Sequence, residues 1–172
     1  MLQTEPKKIF ISVGSRFSMY RLLESVEDMM VNNPHLEAKA QTGPIAFKSR
    51  QIQTAQWADA AEFDRSVYDC DIFISHAGMG NILLAAKYQK PIIIMPRRSD
   101  LGEHINDHQL STAMALKGRP FISVVNDSQE LEQAVLDILQ GSVNNPDQHG
   151  FNNESRVNLI IALKNFIDYD KL

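Results

Sequence analysis

The segment Asp71–Pro96, DIFISHAGMGNILLAAKYQKPIIIMP, places a histidine and two glycines between an apolar run and a helical one. Gly78 and Gly80 strip away side chains where the first amides of a helix have no internal partner. Those amides carry the positive end of the helix dipole. A phosphate would suit them, held by the backbone of Gly78, Met79, Gly80 and Asn81. The same glycines also suit a plain strand-to-helix turn, since GxG alone is a weak signal. A second glycine turn, Gly14–Ser15 in VGS, has the same two readings. His76 has three: donor to a phosphate or sugar oxygen, general base, or a structural histidine at a strand end.

Arg97 and Arg98 follow an apolar run, placed either to neutralise a diphosphate or to lie solvated in a loop. In EHINDHQ (Glu103–Gln109) only Ile105 is apolar. His104 and His108 are spaced to share a helical face, which would permit a metal. No H-E-x-x-H or cysteine cluster accompanies them, so no metal site is expected. Hydrogen bonding to hydroxyls is the better use of His104, Asn106, Asp107 and Gln109, against plain capping and solvation. Trp57 and Phe63 read as packing residues, and Cys70 as a buried small residue. Glu24, Glu27 and Asp28 read as a solvated helix face.

Strands and helices alternate around these residues. Strands are expected at Lys7–Ser15, Leu36–Gly43, near Ile52, and at Asp71–Ser75, Pro91–Pro96 and Pro120–Val125. Helices are expected at Ser18–Asn33, Phe63–Cys70, Gly80–Gln89, His104–Gly118, Asp127–Gly141 and Glu154–Asp170. In the first, Tyr20, Leu23, Val26 or Glu27, and Met30 fall near one face. The order predicts an α/β fold, a Rossmann-like parallel sheet with helices on both faces. In such sheets ligands bind at the carboxyl ends of the strands. The loops Gly14–Ser18, His76–Asn81 and Arg97–His104 all belong there.

The 172 residues read as a single domain, 1–172, and 44% hydrophobic content can fill one core. A net charge of −4 argues against nucleic acid as the main partner. One cysteine allows no intrachain disulfide and fits a reducing, cytoplasmic setting. MLQTEPKK is polar and unlike a secretory leader. No window offers the ~20 apolar residues of a membrane helix.

ISHAGMGNILLAAKYQKPIIIMPRRSDLGEHINDHQ (Ile74–Gln109) resembles the C-terminal, donor-binding half of family 28 glycosyltransferases. VGSRF and AQTG match at the corresponding places, and the likeness spans Ile9 to Leu139. It is strongest to single-domain members: the cytosolic subunit of the two-part dolichol-linked N-acetylglucosaminyltransferase, and small subunits of bacterial exopolysaccharide and capsule transferases. The resemblance implies half of a GT-B fold and a UDP-sugar donor, with no further cofactor. Gly14, Ser15, Gly78, Met79, Gly80, Asn81 and Arg97 would face the diphosphate. Glu103, His104, Asn106, Asp107 and Gln109 would face the sugar. The region of Phe63 would lie by the uracil.

The resemblance further implies inverting, metal-independent transfer to a lipid-linked or polysaccharide-precursor acceptor. His76 is the catalytic candidate, and the base could also be His104 or belong to a partner. That partner would be a membrane-anchored acceptor-binding subunit, holding this chain at the cytoplasmic face. One position departs from the family. Where the lipid-linked peptidoglycan enzyme carries a ribose-binding glutamate, this chain has Leu84, which accepts no hydrogen bond. A non-catalytic accessory subunit is the alternative. A stand-alone nucleotide-sugar epimerase is a third reading, disfavoured by the chain's length.

Overall fold

Ile9–Val13 forms strand β1 (Lys8–Ser12) and its exit, and its side chains alternate between two cores. Ile9, Ile11 and Val13 enter one core and Phe10 the other. The computed structural model describes residues 5–141 together with 157 and 161. Within them β2 (Glu37–Gln41), β3 (Ile52–Ala55), β4 (Ile72–His76), β5 (Ile92–Met95) and β6 (Ile122–Val124) join β1 in one parallel sheet. The order is β3-β2-β1-β4-β5-β6. β5 is buried at all its positions, as a strand covered on both faces must be.

Helices α1 (Tyr20–Asn32) and α5 (Ser128–Leu139) cover one face. Their Leu22, Leu23, Val26, Met29, Leu131 and Val135 pack with Ile9 and Ile11. Helices α2 (Ala60–Asp69), α3 (Met79–Tyr88) and α4 (His108–Leu116) cover the other, around Phe10, Phe73, Ile92 and Ile94. Each fully buried side chain of this size contributes about 1.5–3 kcal/mol. Asp59 and Asp127 cap α2 and α5, each accepting a backbone N–H at 2.8 Å.

Four local expectations are corrected. Tyr20 is 54% exposed, because the buried face of α1 runs through Leu22, Leu23, Val26, Met29 and Met30. Trp57 is 55% exposed rather than packed, whereas Phe63 does pack, 5.3 Å from the Phe10 ring. The fourth expected helix starts at His108, not His104. Ser99–Leu101 forms a 3-10 turn instead, and Asp107 Oδ1 accepts the Ser99 amide at 2.9 Å. Arg97–Glu103 is therefore not wholly irregular. The expected helix at Glu154–Asp170 lies outside the described residues, apart from Val157 and Ile161, which are helical.

Strand order reverses between β1 and β4. The chain runs from β1 outward through β2 to β3, then returns to the other side of β1. The loops leaving β1 and β4 therefore diverge and open a crevice at the carboxyl edge, where α/β sheets hold ligands.

Candidate functional site

The two glycine turns meet at this crevice, and the His76 side chain stands between them. A Cβ at Gly14 would lie 2.8 Å from His76 Cε1, and one at Gly78 would collide with His76 Nε2. Gly14 also has φ +80°, which side chains rarely adopt. So both glycines make room for an imidazole. This is a reason for their presence that the sequence did not disclose. Gly80 differs: a Cβ there meets nothing within 4 Å.

His76 Nδ1 lies 3.3 Å from Ser75 Oγ and 3.5 Å from Ser12 O. Ser75 Oγ accepts from Asn81 Nδ2 at 2.6 Å. With Nδ1 accepting from the Ser75 hydroxyl, Nε2 is a donor, and with Nδ1 donating to the Ser12 carbonyl, Nε2 is an acceptor. Burial, then the Arg97 charge, brings the imidazole down to about 4, so the ring is neutral near pH 7. It is correspondingly a weak base.

The backbone donors at the crevice are fewer than the sequence suggests. Gly78 N–H donates to His76 O at 2.8 Å, and Asn81 N–H to Gly78 O at 3.1 Å. Those of Met79 and Gly80 have no acceptor among the described residues, nor do those of Ser15 and Arg16. Met79 contributes only its backbone, since its side chain packs against the α2–α4 core.

Arg97 is 3% exposed. Its Nη2 donates to Phe17 O at 2.8 Å and to Val13 O. Its backbone N–H donates to Gln109 Oε1 at 3.1 Å. Nε is buried without a partner. Burial lowers the guanidinium pKa. Arg97 thus ties the β5 exit to the β1 loop.

The family model of the glycosyltransferase family 28 C-terminal domain matches residues 8–162. The chain belongs to this family. No curated protein matches it in sequence. Among solved structures it is similar to the glycotransferase of kitacinnamycin, with a TM-score of 0.63 at 18% identity, covering 80% of this chain and 36% of that one. It is similar to MurG of Acinetobacter baumannii, with a TM-score of 0.60 at 16% identity, covering 81% and 43%. It is also similar to CalG4, the calicheamicin glycosyltransferase, with a TM-score of 0.59 at 14% identity, covering 91% and 44%. The chain therefore spans well under half the length of these proteins. At such identities the likeness establishes the fold: Rossmann-like, a half-size domain of the GT-B architecture.

In this family 28 domain the expected sugar-side residues cluster, but many of their polar atoms are already engaged. Glu103, 7% exposed, accepts from Arg21 Nε at 2.9 Å and Nη2 at 2.7 Å, and from the Arg98 amide at 3.0 Å. Gln109 is buried on the Arg97 amide. The Ser99 amide holds the Asp107 carboxyl below its ordinary value. Asn106 Oδ1 meets His108 Nδ1. The His104 ring lies tilted against Phe17, centroids 4.7 Å apart, and meets His108 edge to face at 4.5 Å. Arg98 pairs with Asp100 at 2.6 Å. Among the described residues no three His, Cys, Asp or Glu side chains gather as a metal site would.

Sequence reasoning missed Arg21. It donates to Pro96 O at 2.8 Å and Asn126 O at 2.9 Å as well as to Glu103, tying α1 to the exits of β5 and β6. Ser12 and Ser75 were also missed. Arg16 and Phe17 lay within the expected Gly14–Ser18 loop and the VGSRF match but were given no role of their own. Leu84 packs against the α2–α4 core. Cavities of about 310 Å³ beside α2 and about 700 Å³ between β6 and α5 lie elsewhere and border neither Gly14 nor His76. Burial raises the Cys70 thiol to about 12, which leaves it unreactive. No helix among the described residues is long and apolar enough to cross a membrane.

Proposed function

We propose that the chain is the donor-binding half of an inverting UDP-sugar glycosyltransferase. It would work with a membrane-anchored subunit that binds a lipid-linked or polysaccharide-precursor acceptor. The observation that carries this reading is the switch-point crevice. There the unengaged amides of Ser15, Arg16, Met79 and Gly80 accompany a neutral His76 in a family 28 domain.

The departing nucleoside diphosphate gains negative charge as the glycosidic bond breaks. The amides at the start of α3 would stabilise that charge, and His76 Nε2 would add a donor in the tautomer in which Nδ1 accepts from Ser75. This route asks nothing of a metal. With His76 so weakly basic, deprotonation of the acceptor hydroxyl falls to His104 or to the partner. The sugar would lie towards His104 and Asn106.

Calorimetric titration of the purified chain with UDP, UDP-GlcNAc, UDP-glucose and UDP-galactose tests the reading, with and without magnesium. Metal-free binding of at least one is expected. No binding, alone or with the co-expressed partner, would sink it. A second reading, a non-catalytic accessory subunit, is favoured by Leu84, whose position offers the ribose no acceptor. Gly80→Asp separates the two: it abolishes transfer by a donor-binding subunit and leaves an accessory's stimulation of its partner intact.

A further inference from the structure

Arg97 was the sequence's candidate for neutralising the diphosphate, yet it is 3% exposed and its Nη2 is occupied by backbone carbonyls beneath the β1 loop. Arg16 is exposed on that same loop, and its guanidinium carbon lies 5.7 Å from the Phe17 ring centroid. The Arg97 guanidinium approaches the same ring at 5.5 Å, and the His104 ring lies tilted against it, centroids 4.7 Å apart. Among the described residues Arg16 has no hydrogen-bond or ion-pair partner.

The local charge balance points the same way. Glu103 is the acid that acts on Arg97, and its carboxylate is already gripped by both ends of Arg21. The nearby Asp100 is paired with Arg98, and Asp107 with the Ser99 amide. Arg16 and Arg97 therefore approach one aromatic ring, and among the described residues neither forms an ion pair.

We propose that Arg16 is the arginine that contacts the donor diphosphate, and that Arg97 is a positioning residue holding the loop that carries it. The proposal rests on the donor-site reading above. It assigns phosphate recognition to three parts: the α3 amides, His76 and Arg16.

The test is calorimetric titration of the wild-type chain, Arg16→Ala and Arg16→Lys with UDP, UMP and uridine at two salt concentrations. Thermal melts of all three proteins accompany it. Arg16→Ala should lose UDP affinity by about tenfold or more, the scale of a charge-assisted hydrogen bond. It should bind uridine like the wild type and melt at the same temperature. Arg16→Lys should recover part of the loss, and the salt dependence of UDP binding should flatten in Arg16→Ala. Arg97→Met, by contrast, should lower the melting temperature. If wild type binds UDP and Arg16→Ala binds it equally well, the assignment to Arg16 is overturned while the donor site stands. If the wild type binds no nucleotide, alone or with the co-expressed partner, the donor-site reading fails and this proposal with it.

Discussion

Two sides of the crevice use polar residues in opposite ways. On the β1–β4 side, glycines expose backbone: Gly14 and Gly78 clear space for His76, and the amides of Met79 and Gly80 have no acceptor among the described residues. On the β5–α4 side, side chains are dense but spend their hydrogen bonds on one another. Glu103 holds Arg21, Gln109 holds the Arg97 amide, and Asp107 holds the Ser99 amide. A cluster of polar residues is thus a poor guide to what faces a ligand. An unpartnered donor is a better one, because a ligand can replace its lost water only where protein has not already done so.

The largest test of this contrast is Glu103→Ala. It strands Arg21, whose side chain is only 23% exposed, and orphans the Arg98 amide. A loss of about 3 kcal/mol is expected in urea unfolding. Stability equal to wild type would mean that the β5–α4 loop is not braced in this way.

Gly80→Asp probes the other side. The new carboxylate meets open space and favours a helix N-terminus, so the melting temperature should hold or rise. UDP affinity should nevertheless fall about 100-fold through repulsion of like charges. Gly78→Ala should do the reverse in part, costing about 1–3 kcal/mol as its Cβ meets His76. Unchanged UDP binding by Gly80→Asp would remove the phosphate from the start of α3.

His76 supplies a pH test. Its folded value, about 4, lies below the ordinary 6.5. The neutral ring's contribution is therefore complete above pH 6.5 and is lost as pH falls towards 4, by roughly 2 kcal/mol for a partly exposed group. Denaturation of His76→Gln at several pH values should show a flatter acid limb. An identical limb would place the titration elsewhere.

Asn106→Ala should have the smallest effect, within about 0.5 kcal/mol in stability. A drop in transfer of a few-fold at unchanged UDP affinity would put Asn106 on the sugar. No change in transfer would leave it a loop residue.

Much of the scaffold was legible in local pattern. The apolar run at Ile9–Val13, the glycines after β1, β2 and β4 and the acid at Asp127 act through neighbours a few residues away. Strand positions, turns and caps followed from them. Polar composition suggested a continuous helix from His104, but the Asp107 bond to the Ser99 amide delays it to His108. The site was legible as a location and less so as a set of roles.

By itself the sequence determined that helices and strands alternate, that two glycine turns follow two buried strands, and that the segments carrying His76 and Glu103–Gln109 are those of a family 28 domain. Only the tertiary structure decided what each polar atom touches. Arg21 finds Glu103 across 82 residues, and Arg97 reaches Phe17 O across 80. Those partners meet because β1 lies beside β4, at the reversal of strand order. Periodicity and turn chemistry are set over a few residues. Which cations are consumed by the scaffold, and which remain for a ligand, depends on which strand ends the fold brings together.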